Sequence, residues 1–282
     1  FWLPGTYASA PAPVAALFAI MTKVGAYAIL RMHTVVFGPD AAAIGALSGD
    51  WLKPAALITV AIGAFGVIGA RRLLPLVSFA TLNSTGTLML AIAAFTPYAA
   101  EAGLYYLVHS TLATAALFLV ADLVLARRAG GDALAAAPAT QQNGLLAALF
   151  FMAAIAIAGM PPLSGFLGKL LVLDALRVAE YTPLIWTVVL AGSLLVIVGF
   201  VRAGSQLFWK STSVDPAPKA EAGLAPDPAL APAAPTDRLG PLQVAPTMVL
   251  LAGLAALTIF AGPISRHMNA TASQLFDPSA YI

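Results

Sequence analysis

Three basic side chains stand inside stretches too apolar to hydrate them, and their types define the available chemistry. Lys169 closes GMPPLSGFLGK at residues 159 to 169, Lys23 interrupts the apolar run 13 to 32, and His109 lies in the run 102 to 126. A lysine at bilayer depth costs at least about 2.5 to 3.5 kcal/mol on insertion scales, so it reads by default as part of an ion or proton path. Histidine takes a proton on one ring nitrogen and releases it from the other, which suits a relay between two amines. A packing role stands beside each of these readings: a lysine reaching a polar neighbour to fix its helix, or a histidine satisfied in the core.

The elements that must position these groups follow from proline and from helix geometry. Pro161 and Pro162 donate no backbone hydrogen bond and clash with the preceding turn, so the motif breaks its helix into limbs at 143 to 158 and about 166 to 178. Carbonyls freed in this way survive at membrane depth only where they face protein or water. Lys23 falls about 15 Å from the start of its span, the middle of a hydrocarbon core roughly 30 Å thick, where snorkelling to an interface is strained.

Composition sets the class. Hydrophobic residues make up 60% of the chain and charged ones 9%, where soluble domains carry roughly 25% charge. This is an integral membrane protein. The absence of cysteine removes disulfides, thiolate zinc and iron–sulfur ligation, and no cofactor or metal site is read from the other residues. A net charge of +2, with basic residues single or paired, gives no nucleic-acid surface. The chain opens on Phe1 with no signal peptide in view and reads as a fragment whose upstream part is missing.

The fold expected is an all-α polytopic transmembrane bundle of about seven passages, one of them the proline-broken helix. A proline- and glycine-punctuated entry leads to the span 13 to 32, and a loop 33 to 50 follows. Further spans are read at 52 to 70, 75 to 96, 102 to 126, the broken pair, 183 to 207 and 247 to 265. Residues 1 to 210 thus form the membrane domain, 211 to 246 a Pro/Ala-rich loop that cannot bury a core, and 247 to 282 a last transmembrane helix and tail. The span 75 to 96 carries Ser78, Thr81, Asn83, Ser84, Thr85 and Thr87, which serve either as helix glue or as a water chain. Asp122 is read as an interfacial ion-pair partner of Arg127 and Arg128. With one crossing per span, Arg71, Arg72, Arg127, Arg128, Lys210, Lys219 and Arg238 share one face, and positive-inside bias makes it cytoplasmic.

These motifs resemble the carboxyl-terminal half of the antiporter-like subunits shared by Mrp-type cation/proton antiporters and respiratory complex I. FWLPGTYASAPAP is similar to the family's WLP entry, MTKVGAYAILR to its helix with a central lysine, and GMPPLSGFLGK to its discontinuous helix. YYLVHSTLATAALFLVADL looks most like the D-type branch of the Mrp (or Pha) antiporter subunits, with Ser110 and Thr114 where relatives place a histidine and a lysine. Relatives carry a lysine in a KRLIAYS-like run, whereas this chain reads RRLLPLVSF. The resemblance implies a hydrated proton path through Lys23, His109 and Lys169 along the membrane midplane. Ser110, Thr114, Asn83, Arg71 and Arg72 are its candidate supporting residues, and Pro161 and Pro162 its helix break. It further implies a bacterial plasma-membrane protein, not itself an enzyme, working with other subunits of a hetero-oligomeric antiporter complex, with the lipid bilayer, and with protons and Na+ or K+. A proton-pumping subunit of complex I or of a membrane-bound hydrogenase is the alternative, and a transport-silent scaffold is the third reading.

Overall fold

The structure, a computed structural model, describes residues 2–35, 45–128, 131–210 and 239–277, and of 45–50 the backbone alone. Among the described residues the regular elements are all helical: α1 (Trp2–Ser9), α2 (Ala12–Val35), α3 (Gly45–Gly69), α4 (Leu73–Ile92), α5 (Pro97–Leu125), α6 (Asn143–Ala158), α7 (Ser164–Ala175), α8 (Thr182–Gly204), α9 (Pro241–Ile259) and α10 (Ala261–Phe276). A π-helical turn, Ser205–Trp209, extends α8. Among the described residues, six helices are long and apolar enough to cross a membrane. The pair α6 and α7 makes a seventh passage, as the sequence predicts.

Burial separates an inner layer from an outer one. The most apolar windows of α4 and α5 are 72% and 67% buried, against no more than 33% for α2, α3, α8 and α9. The two inner helices are thus the ones whose polar residues must be satisfied by protein. α5 begins sharply because the Thr96 side chain accepts from the Ala99 N–H at 3.2 Å and Pro97 occupies the first helical position, where a missing N–H costs nothing.

Several elements differ from the sequence reading. The punctuated entry is a helix, α1, because Pro4 lies in the first turn, where no intrahelical donor is needed. Of the loop read at 33 to 50, residues 33–35 and 45–50 are helical, and the rest lies outside the described residues. The fourth span starts at Pro97 and takes in Glu101. α9 starts at Pro241, not 247, and holds Pro246 internally; the carbonyl this leaves without a helix partner belongs to Leu242, which is 87% exposed. The loop therefore ends by residue 240, and its stretch 211 to 238 lies outside the described residues, as do Lys219 and Arg238. Beyond α9 the chain turns at Phe260 into α10, amphipathic and separate from the last span.

Contacts tie the basic ends together. Arg72 pairs with Asp132 at 2.8 Å, Arg127 donates to Gln243 at 2.7 Å, and Arg202 donates to the Ala70 carbonyl at 2.6 Å. Asp122 makes no ion pair among the described residues. Arg128 donates instead to the carbonyls of Ala133 and Ala135, because the chain after α5 folds back within its reach.

Candidate functional site

The site begins with a missing donor. In a continuous helix the Ala158 carbonyl would accept from the N–H of residue 162, but Pro162 has none. α6 therefore stops at Ala158, and Gly159 turns out of the helix at φ +78°, a left-handed conformation that favours glycine. Its N–H bonds back to Ala156 and Ile155. Lys169, about one and a half turns into α7, lays its side chain back across the break. Its Nζ donates to the freed Ala158 carbonyl at 2.8 Å and to Ser193 Oγ of α8 at 2.7 Å. The side chain is only 6% exposed.

His109 approaches the same break from α5 and is fully buried. Its Nδ1 is 2.9 Å from Ser164 Oγ, at the start of α7. Its Nε2 has no hydrogen-bond partner among the described residues. One nitrogen is engaged and the other open, the asymmetry a proton relay uses. The Tyr106 ring lies 5.6 Å from the imidazole, and the Tyr106 hydroxyl meets Ser84 Oγ at 3.1 Å. Two polar residues of α4 and α5 thereby join the histidine side of the site.

Lys23 is 1% exposed in the unbroken helix α2. Its Nζ has no hydrogen-bond partner among the described residues, and it lines a cavity of about 380 Å³ between α2 and α5. Of the supporting residues, Asn83 donates to the Val60 carbonyl at 2.9 Å and so ties α4 to α3. Ser110 turns to the Leu107 carbonyl of its own helix at 3.2 Å. Thr114 is buried with its hydroxyl unpartnered among the described residues. Arg71 and Arg72 are exposed at the α3–α4 junction, outside this cluster, and Pro161 and Pro162 are exposed at the break itself.

Sequence reasoning missed the glycines' purpose. A Cβ at Gly159 would stand 2.7 Å from Lys169 Cδ, one at Gly165 2.1 Å from the Ala156 carbonyl oxygen and 2.9 Å from His109 Nε2, and one at Gly168 2.9 Å from the Tyr106 ring. Each of these glycines of GMPPLSGFLGK thus opens room for a polar side chain, and Gly165 also lets α7 approach the backbone of α6. It also missed Ser164, Ser193 and Glu101. Glu101 is 8% exposed and held by Ser265 Oγ at 2.5 Å and Asn269 Nδ2 at 2.7 Å, both from α10. The signal for that pair, Ser and Asn four residues apart on an amphipathic helix, is legible only once the carboxylate's span is known.

A helical bundle that buries lysines and a histidine beside a broken helix is built like a membrane transport subunit. Residues 1–196 match the family described as "NADH:quinone oxidoreductase/Mrp antiporter, TM", and the chain belongs to that family. It is 32% identical over 311 residues to the D subunit of a probable K(+)/H(+) antiporter of Rhizobium meliloti, covering 99% of this chain and 53% of the relative. It is 34% identical over 219 residues to the D subunit of the Na(+)/H(+) antiporter of Bacillus subtilis, covering 77% and 43%. Its fold matches a chain of the Mrp complex from Dietzia sp. with a TM-score of 0.78 and 26% identity, over 99% of this chain and 56% of that one. A chain of respiratory complex I from Thermus thermophilus shares the fold, with a TM-score of 0.71 at 24% identity over 98% and 54%. The chain spans about half the length of these relatives.

Proposed function

We propose that this chain is the proton-conducting half of a D-type subunit of a multisubunit monovalent cation/proton antiporter, resident in a bacterial plasma membrane and working with further subunits. Lys169 and Lys23 are its titrating groups and His109 the relay between them. The observation that carries this reading is the hydrogen bond from Lys169 Nζ to the Ala158 carbonyl that Pro162 leaves free. An ammonium needs acceptors at this depth, and the break supplies one without adding a countercharge that would fix the proton in place. Lys169 releases a proton while its nitrogen keeps Ser193 Oγ as a neighbour, since a hydroxyl both donates and accepts. His109 accepts on the open Nε2 and gives up the Nδ1 proton toward Ser164, then returns to its first tautomer. Asn83, Ser110 and Thr114 border the path.

The fold shared with complex I supports a second reading, a proton-pumping subunit coupled to redox chemistry elsewhere. Membrane vesicles carrying the whole complex separate the two. Proton flux driven by imposed Na+, Li+ or K+ gradients, without any electron donor, is the outcome expected of an antiporter. Flux that appears only with a reductant supplied overturns it in favour of the pump. Cation-driven flux that persists at the normal rate in a Lys169→Arg variant removes the carrier role from that lysine, because arginine stays protonated.

A further inference from the structure

Two cavities meet at the end of α3, and neither belongs to the buried cluster. One, about 440 Å³, runs along the α3–α4 groove over Gly66, Gly69, Pro75 and Phe79; the other, about 400 Å³, opens toward Arg202 of α8 and Gln206 of the π-helical turn. Both are lined by Ala70 and Arg71. We propose that this corner binds an anionic phospholipid, its phosphate between Arg71 and Arg202 and an acyl chain in the groove beneath.

The charges at the corner are sorted in favour of an incoming anion. Arg72 is neutralised by Asp132, and Arg128 is turned away onto the Ala133 and Ala135 carbonyls. Arg71 makes no side-chain hydrogen bond or ion pair among the described residues. Arg202 uses one nitrogen on the Ala70 carbonyl at 2.6 Å, which orients its planar fork while leaving other N–H donors open. Two guanidinium groups beside one cavity match a phosphate, which each can hold through paired hydrogen bonds.

The walls are held in place before any ligand arrives. The strap after α5 closes one side, with Leu73 N–H donating to the Asp132 carbonyl at 2.7 Å and Leu134 N–H to the Arg71 carbonyl at 2.9 Å. Depth decides between a lipid and a free ion. Arg71 stands between two spans, Trp51–Gly69 and Leu73–Ile92, where headgroups lie, and basic pockets between transmembrane helices are headgroup sites. The groove then descends along α4 to Phe79, about 9 Å below Leu73 at helical rise. An aqueous phosphate would have no use for that apolar extension. The inference is independent of the proton path.

The test uses the full-length protein in its complex. Native mass spectrometry in mild detergent, with added phosphatidylglycerol or phosphatidylcholine, should show preferential retention of the anionic lipid. An Arg71→Gln, Arg202→Gln variant, checked for unchanged assembly, should lose about tenfold in that retention, the scale of one or two charged hydrogen bonds. A Phe79→Trp variant in vesicles should be quenched more by phosphatidylglycerol with brominated acyl chains than by brominated phosphatidylcholine. Unchanged retention in the double arginine variant overturns the site. Displacement of the lipid by millimolar inorganic phosphate, together with no selective quenching at the Phe79→Trp position, overturns the lipid assignment and leaves a free-phosphate site.

Discussion

Lys169 and Lys23 are the same residue type, both inside membrane spans and both closed off from solvent, yet the protein treats them differently. Lys169 sits on a broken helix and finds a carbonyl and a hydroxyl within 2.8 Å. Lys23 sits on an unbroken helix of 24 residues, where every nearby carbonyl already has a helical partner, and its Nζ has no partner among the described residues. A helix interruption is therefore not only a source of flexibility. It is a way to make an uncharged acceptor for a buried ammonium, and a lysine without one depends on groups beyond its own helix.

The largest effect is expected from removing the favoured lysine. Lys169→Met should take cation-driven proton flux to background, and it leaves the Ala158 carbonyl bare, a loss of about 1–3 kcal/mol of stability. Lys23→Met should also abolish flux while costing less stability, since it strands no acceptor among the described residues. Thermal unfolding of the two variants in the assembled complex compares them directly, and a larger loss for Lys23→Met would break the contrast.

Next comes the double variant Pro161→Ala, Pro162→Ala, which returns an N–H to position 162 to compete with Lys169 for the Ala158 carbonyl. Flux should fall severalfold while the melting temperature holds or rises, as the helix regains bonds. Unchanged flux would make the break incidental, and loss of assembly would make the prolines structural.

Smaller effects should come from the glycines. Gly159→Ala places a Cβ against Lys169 at a position with φ +78°, so it should cost about 1–2 kcal/mol in backbone strain and slow transport by displacing the amine. Gly165→Ala drives a Cβ to 2.1 Å from the Ala156 carbonyl oxygen as well as 2.9 Å from His109 Nε2, so the two limbs must move apart, and it should slow transport with a larger loss of stability than Gly159→Ala. His109→Phe checks the second effect, since normal flux in that variant would reduce the histidine to packing.

The seven passages and the break are legible in the sequence because hydropathy and proline act locally, and GMPPLSGFLGK carries both signals within 11 residues. The partners of Lys169 and His109 are not, because Ser193 and Ser164 reach them from other helices and nothing local distinguishes these serines from helix glue. Asp122 shows the same limit from the other side. Its proximity in sequence to Arg127 and Arg128 suggests an ion pair, but the returning strap offers Arg128 backbone carbonyls and gives Arg72 a different acid, Asp132. Glu101 escapes sequence reading through the placement of a boundary: with the fourth span starting at 102, it counts as loop.

That carboxylate changes how α10 should be handled. α10 is pinned by two hydrogen bonds to Glu101 of the inner helix α5, at a point eight residues, or about 12 Å along the helix, from His109. A reporter inserted after Phe276 therefore pulls on a lever whose fulcrum is Glu101, and a cut ahead of Ala261 would strip the carboxyl group of the two donors that now satisfy it. Reporter proteins joined there are perturbations of the central helix, and transport measured on such fusions needs an untagged control.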